Sequence, residues 1–365
     1  MEKKLIRIGN NNSPVLVSNN IKKDFKRWWQ LSIGTHKKTP IIIIADEVLY
    51  DYHNETLESL FLEIPVQIIE LRKIKSSEQI KSPQIVLEIL EEWSSKNVTR
   101  DTVIICIGGG TITDLGGFLS SIFKRGLRCV FIPTTLLAMT DASLGGKNAI
   151  NLNYSKNQVG TFYLPKFTMI SPDFLDSLSK DNLSSGYAEM MKHAILQNKS
   201  FTNKMLSIND LSIKPSTNLL VESIRFKLKI VNKDPKEKKE RIFLNLGHTF
   251  GHAYESYYSY INQSISHGNA VAKGLAEALF FSFKLKGFNE KTMCDIITWI
   301  KKHYSLDRLP NYEQICNFIK KDKKHINSGL KLVLLESIGS PETLVIEEKL
   351  CKEIHREFLE FIANI

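Results

Sequence analysis

The segment 102–123 reads Thr102-Val103-Ile104-Ile105-Cys106-Ile107-Gly108-Gly109-Gly110-Thr111-Ile112-Thr113-Asp114-Leu115-Gly116-Gly117-Phe118-Leu119-Ser120-Ser121-Ile122-Phe123. It begins as a β-branched apolar run, turns on three glycines and continues with helical spacing. A continuous apolar run of this length fits a strand buried on both faces. Glycines at the strand end allow close approach of a ligand to backbone, and the first turn of the following helix offers unpaired N–H groups to a phosphate. The strict G-x-G-x-x-G fingerprint is absent, because Thr113 stands where its last glycine would fall. Taken alone, the three glycines fit a tight turn as well as a nucleotide site.

Working outward, Ile41–Ala45 and Val66–Leu71 read as further strands, and Arg128–Ile132 as the strand after the helix Thr113–Phe123. The apolar spacing within Glu78–Trp93 predicts another helix. Strand, glycine turn, helix and strand in this order make a βαβ unit of a nucleotide-binding α/β domain. After Pro165 the character changes. Amphipathic stretches at 182–197, 217–232, 247–259, 267–287 and 290–303 predict helices, with a short hairpin near Leu330–Leu335 and Thr343–Ile346 and a terminal helix beyond it. The expected organisation is an α/β nucleotide-binding domain over 1–165 and a mainly α-helical domain over 166–365.

Composition narrows the function classes. With 42% hydrophobic and 24% charged residues, the chain has the balance of a folded soluble protein. No apolar run approaches the roughly 20 residues of a membrane span. The segment Met1–Asn12 lacks an apolar core of the signal-peptide kind. The five cysteines, Cys106, Cys129, Cys294, Cys316 and Cys351, are scattered and never in C-x-x-C spacing. A disulfide framework or thiolate zinc site is not expected, and a reducing cytoplasm is. The net charge of +10 admits a nucleic acid, an anionic small substrate or general compositional bias. The densest basic run, Lys233–Arg241, also carries Asp234, Glu237 and Glu240, which suits a solvated loop. No aromatic residues interleave with basic ones as in a stacking platform, so no nucleic-acid partner is expected.

Gly145-Gly146-Lys147-Asn148 is not a phosphate-binding P-loop, because Asp141 occupies the place of the first glycine and Asn148 that of Ser or Thr. His248 and His252 are four apart and share a face on a helix, a spacing that suits a metal as well as two polar residues at a helix start. His267 precedes another long apolar helix. Glu189 lies in the largely apolar helix Ala188-Glu189-Met190-Met191-Lys192-His193. A carboxylate facing a core needs a partner, a metal or a catalytic duty, while a surface pair with Lys192 is the other reading.

Several blocks together resemble the dehydroquinate synthase family. They are Gly108–Phe118, Pro133–Lys147, Gly186-Tyr187-Ala188-Glu189-Met190-Met191-Lys192-His193, Asn245-Leu246-Gly247-His248-Thr249-Phe250-Gly251-His252-Ala253, His267-Gly268 with Ala270-Val271-Ala272, and Asp322-Lys323-Lys324. They keep the family's order across roughly 41–340. The resemblance implies an NAD-binding α/β domain and a helical metal-binding domain. It also implies conversion of 3-deoxy-arabino-heptulosonate 7-phosphate to 3-dehydroquinate and phosphate in the shikimate route, by a carbon–oxygen lyase using NAD and zinc or cobalt.

Carried over by position, the resemblance makes Glu189, His248 and His267 the metal ligands, and places His252 at the substrate rather than on the metal. It assigns Asp46, Glu78, Lys81, Gly109, Gly110, Thr111, Asp114, Thr134, Thr135 and Lys156 to NAD. Arg241 and Lys227 would hold the substrate carboxylate. Lys147, Asn157, Asn245, His252 and a lysine of Lys323-Lys324 would surround the phosphate. Lys192, Asp141 and Glu237 would position hydroxyls and protons. Arg125 matches an arginine that reaches a neighbouring subunit's phosphate, which implies a homodimer. The chain departs from the family pattern at Asn269, where glutamate is usual, at Thr161, where alanine is common, and at Ser171, where aspartate is common. Other sugar-phosphate cyclases, of valiolone or deoxyinosose type, share the NAD and metal parts. A polyol dehydrogenase or an inactive binding protein are the remaining alternatives.

Overall fold

A computed structural model describes residues 5–9, 13–34, 38–152, 155–321, 325–326 and 329–365. Its contacts divide the chain into two compact units. Unit 1 comprises Met1–Leu178 and Lys214–Lys236; unit 2 comprises Ser179–Ile213 and Glu237–Ile365.

Unit 1 is an α/β body. Its first elements are β1 (Ile6–Ile8), β2 (Val15–Val17), α1 (Ile21–Ser32) and β3 (Thr39–Asp46). They are followed by α2 (Glu47–Tyr52), α3 (Asn54–Leu62), β4 (Val66–Ile74) and α4 (Pro83–Ser95). Then come β5 (Val103–Gly108), α5 (Gly110–Ile122), β6 (Arg128–Pro133), β7 (Lys147–Leu152), β8 (Ser155–Phe162) and β9 (Thr168–Ile170). The main sheet runs β1-β2-β9-β6-β5-β3-β4, parallel throughout except for the β1–β2 pair. β5 lies inside the sheet between β6 and β3, and all six of its residues are buried, as its unbroken apolar run predicts. On one face Trp93, Ile112, Leu115, Phe118, Leu119 and Ile150 pack over Ile42, Ile44, Ile104 and Cys106.

Unit 1 departs from the sequence reading at three places. The helix expected from Glu78 starts at Pro83, with a 3-10 turn over Glu78–Ile80 before it. Ser82 accepts a hydrogen bond from the Ile85 N–H, and Pro83 occupies the first helical position, where its missing N–H costs nothing. The helix expected from Thr113 starts three residues earlier, directly at Gly110. The hairpin β7–β8, paired antiparallel from Lys147↔Phe162 onward, has no counterpart in the sequence reading, because Lys, Asn and Gly interrupt its alternation.

The remaining helices begin with α6 (Lys180–Gln197), α7 (Lys199–Leu206) and α8 (Thr217–Lys233). α8 belongs to unit 1 although it follows α6 and α7 of unit 2. The contacts therefore change body at 178/179, 213/214 and 236/237, whereas the sequence reading drew one boundary at 165/166.

Unit 2 continues with α9 (His248–Tyr260), α10 (His267–Lys286), α11 (Glu290–His303) and α12 (Tyr312–Lys321). A small antiparallel sheet of β10 (His325–Ile326), β11 (Gly329–Ser337) and β12 (Ser340–Ile346) follows, then α13 (Glu348–Asn364). α10 is the spine of this unit, buried continuously from Gly268 to Ser282 except at Asn269. Among the described residues no helix is long and apolar enough to cross a membrane.

Candidate metal and nucleotide sites

Three elements of unit 2 bring Glu189, His248 and His267 together. Ser179 caps α6, and every residue from Leu183 to Leu196 is buried, so Glu189 in mid-helix is carried into the interior at 0% exposure. His248 opens α9. Gly247 before it has φ of 77°, and a Cβ there would stand 2.7 Å from the Leu275 nitrogen, so the turn into α9 admits no side chain. His267 opens α10, capped by the Ser266 hydroxyl, which accepts from the Asn269 N–H. At Gly268 a Cβ would meet the Ser185 Cα at 2.1 Å, which is how closely the start of α10 presses on α6.

The donor atoms of these three residues all lie within 4.8 Å of one another. His248 Nε2 is 3.4 Å and His267 Nε2 3.6 Å from the same carboxylate oxygen, Glu189 Oε1. The opposite ring nitrogens face outward partners: His248 Nδ1 lies 3.3 Å from the Leu246 carbonyl, and His267 Nδ1 3.7 Å from Glu255 Oε2. Outer partners on Nδ1 orient an imidazole and present Nε2 to a metal. Lys192, one turn after Glu189 and 1% exposed, sets its Nζ against Oε2.

Both Glu189 oxygens are buried and neither has a well-aligned hydrogen bond. A buried carboxylate left in that state is costly unless it serves an ion. Burial opposes its ionisation, but the Lys192 charge and the contacts with both imidazoles outweigh burial and hold the carboxyl well below the usual carboxylate range. Burial and the Lys192 charge bring His248 down to about 3 against the pull of Glu189, so its ring is neutral with a lone pair to give. Burial also works against a charge on His267, but contacts with Glu189 and Glu255 prevail and raise it to about 10. One acid and two imidazoles, with both Nε2 atoms gathered on one carboxylate oxygen, fit a divalent ion and leave coordination positions open.

Glu255 is a residue the sequence reading missed. It stands seven residues after His248 on α9, hence on the same helical face, which was the available signal. His252 shares that face too, with its ring 5.3 Å from that of His248 and 6.3 Å from that of His267. It stays outside the three-donor set, so spacing four apart along one helix is not what assembles the group. Arg241 is 2% exposed, and Asn245 Nδ2 donates to Glu237 Oε1 at 2.9 Å. Lys323 and Lys324 lie outside the described residues.

In unit 1, Gly109 precedes α5 without any side-chain cap, so the first-turn N–H groups at Gly110 and Thr111 are left to a ligand or to solvent. Thr134 and Thr135 follow β6, and the Thr134 N–H donates to the Gly108 carbonyl, fastening the glycine turn. Asp46 ends β3 and caps α2 through its side chain. Lys81, 3% exposed, reaches Asp114 Oδ2 at 2.8 Å and Asn157 Oδ1 at 2.6 Å, with Glu78 Oε1 at 3.6 Å. Burial lifts the Asp114 carboxyl to about 6 even beside this lysine. Asn157 thus joins Lys81 and Asp114. Lys227 of α8 reaches Asp141 Oδ1 at 2.5 Å. Lys147, Lys156 and Arg125 are exposed. Thr161 donates to Ser121 at 2.9 Å, tying β8 to α5, which gives that departure from the family pattern a structural use.

The 3-dehydroquinate synthase N-terminal family model matches residues 71–185, and the C-terminal model of that family matches 186–325. A 3-dehydroquinate synthase of Parabacteroides distasonis is 34% identical over 345 residues, covering 93% of this chain and 96% of that protein. One from Clostridium botulinum is 38% identical over 312 residues, 83% of this chain and 87% of that protein. Among solved structures, a 2-deoxy-scyllo-inosose synthase complexed with carbaglucose-6-phosphate, NAD+ and Co2+ superposes with a TM-score of 0.82. It is 23% identical, with 97% of this chain and all of that chain covered. A 2-epi-5-epi-valiolone synthase from Streptomyces hygroscopicus, with NAD+ and Zn2+ bound, gives 0.81 at 19% identity and 99% coverage of both chains. At these identities the two structures speak for the fold. The contiguous pair of family models and the curated relatives go further: this chain belongs to the 3-dehydroquinate synthase family.

Proposed function

We propose that the chain converts 3-deoxy-arabino-heptulosonate 7-phosphate to 3-dehydroquinate and phosphate, with NAD+ and a divalent metal, zinc or cobalt. The observation that carries this reading is Glu189, fully buried, with two Nε2 atoms gathered on its Oε1 and the Lys192 ammonium on its Oε2. Glu189, His248 and His267 hold the metal in unit 2. The glycine turn, Thr134, Thr135, Asp46 and the Lys81–Asp114 pair hold the dinucleotide in unit 1. When bound, the metal supplies Lewis acidity to substrate hydroxyls, and the dinucleotide supplies a transient oxidant that the same cycle regenerates.

The chain's own residues bind and orient. Arg241 offers a planar fork suited to a bidentate grip on a carboxylate. Lys227 offers an ammonium to the same carboxylate, aimed by Asp141. Lys147, Asn245 and His252 serve the phosphate. Glu237, which accepts from Asn245 at Oε1, and Lys192, whose Nζ sits beside Glu189, position protons of the substrate. Holding a flexible chain near attack geometry is the protein's main contribution to ring closure. Arg125, exposed at the end of the 3-10 turn that follows α5, serves a partner subunit in a homodimer. The five cysteines are free thiols, which suits a reducing cytoplasm.

The test is incubation of the purified chain with the heptulosonate phosphate, NAD+ and Zn2+, following dehydroquinate and phosphate together. Phosphate released only from a different sugar phosphate would make it another cyclase of the same fold. NADH accumulating with turnover would make it a dehydrogenase.

A further inference from the structure

His248 and His267 are the first residues of α9 and α10. Farther along these same helices a second polar cluster is sealed inside unit 2. Glu277 of α10 and Tyr254 of α9 are 0% exposed, and His355 of α13 is 1% exposed. The Tyr254 hydroxyl donates to Glu277 Oε2 at 2.5 Å. His355 Nδ1 lies 2.7 Å from Glu277 Oε1, and its Nε2 lies 3.1 Å from the Pro310 carbonyl. Oxygen partners on both ring nitrogens suit an imidazolium facing a carboxylate. Each oxygen of Glu277 has its own donor, and the network joins three helices. Networks with every member satisfied fix one arrangement.

Such a cluster is a poor way to gain stability, because removing two charges from water offsets most of their attraction; its best-attested use is to fix registry. Registry is what α9 and α10 need. They approach at backbone distance at their glycines: a Cβ on Gly274 would stand 2.1 Å from the Gly247 carbonyl, and one on Gly251 would stand 3.0 Å from the Ala270 carbonyl, while the Phe250 and Phe281 rings pack with centroids 5.0 Å apart. A satisfied polar tie farther along the helices adds a fixed point to this contact. Tyr254 follows His248 by six residues and Glu277 follows His267 by ten. The tie therefore sits roughly 9 Å along one helix and 15 Å along the other from the imidazoles. At that distance it touches neither ligand, but a rotation of α10 that it prevents would swing His267 away from the oxygen it shares with His248.

We propose that Glu277 is a positioning residue for the metal centre: gripped by Tyr254 and His355, it locks α10 against α9 and so sets the separation of His267 from His248. The inference rests on the metal reading of that group. It is tested on the full chain with Tyr254→Phe, His355→Gln and Glu277→Gln. The readouts are Zn2+ affinity by chelator competition, the visible spectrum of the Co2+-loaded protein, and the melting temperature without metal. The proposal expects Tyr254→Phe, which keeps the ring and loses only its donor, to fold, to bind Zn2+ about tenfold more weakly and to shift the cobalt bands. Lower melting temperatures with unchanged Zn2+ affinity and cobalt spectra would make the cluster merely structural and overturn it. Should Glu277→Gln fail to fold, the Tyr254 and His355 variants decide alone. A wild type that binds no Zn2+ overturns the metal reading, and this proposal with it; a wild type that binds while the variants bind equally well overturns this proposal only.

Discussion

Glu189→Gln keeps the size of the side chain and removes its charge, and the structure sets what should follow. Without metal, Lys192 at 1% exposure loses the carboxylate its Nζ rests on. Removing one partner of a buried pair costs about 3–5 kcal/mol, because the remaining charge is left uncompensated. For a body of 150–250 residues about 1 kcal/mol moves the melting temperature 2–4 °C, so the metal-free variant should melt roughly 6–20 °C lower. With metal the loss is larger. An amide offers one neutral oxygen where an anion stood, and the two imidazoles remain as the only strong donors. Altering an outer partner of a ligand typically weakens metal binding 10–100-fold, so losing the anionic ligand should cost about 100-fold or more. Zn2+ titration against a chromophoric chelator measures this, with scanning calorimetry of both proteins in the presence and absence of metal. The wild type should gain a metal-dependent rise in melting temperature that the variant lacks. Equal Zn2+ affinities in the two proteins would remove Glu189 from the metal site. A lower melting temperature with equal affinities would reduce the Glu189–Lys192 contact to a buried ion pair.

Arg241→Ala should raise KM for the heptulosonate phosphate far more than it lowers kcat in a phosphate-release assay; an analogue without the carboxylate that binds the wild type as tightly as the substrate does would refute the assignment. Gly274→Ala should destabilise unit 2 by about 3 kcal/mol or more, since the new methyl meets the Gly247 carbonyl and the Gly251 nitrogen, backbone on both counts; an unchanged melting curve would show that α9 and α10 can part freely. For His355, burial lowers the imidazole pKa but the Glu277 charge and hydrogen bond outweigh it, so the net shift is upward. A raised pKa contributes stability that is fully present below the unfolded value, about 6.5, and is lost as pH rises through the folded value. Glu277 and Tyr254 share the cluster with His355, and Glu313, Tyr312, Cys351 and the Pro310 carbonyl stand around it. Denaturation midpoints should therefore fall as pH rises above about 6.5, and His355→Gln should flatten that slope; identical slopes would refute it.

Much of the architecture was legible along the chain because it is local. β3, β5 and β6 announce themselves as unbroken apolar runs, the glycines after β5 mark the turn into α5, and α10 and α11 carry long helical periodicity. The signature blocks placed the chain in its family before any fold was known. β7–β8 was not legible, since polar residues break its alternation, and neither was the allocation of α8, because nothing in an amphipathic helix names the body it packs against. At the metal group, local spacing offered His248 with His252, four apart on one face. Resemblance named Glu189 and His267 instead, without saying how residues 59 and 19 positions from His248 reach it. That is a tertiary matter: left-handed Gly247, the bare contact of Gly268 on α6 and the packing of α10 along α9 bring three helices close enough for their donors to share an ion. Glu255 and the Glu277–Tyr254–His355 cluster were invisible for the same physical reason. A carboxylate's partner is whatever the fold delivers to it, and a polar residue in an apolar helix shows only that some partner is required.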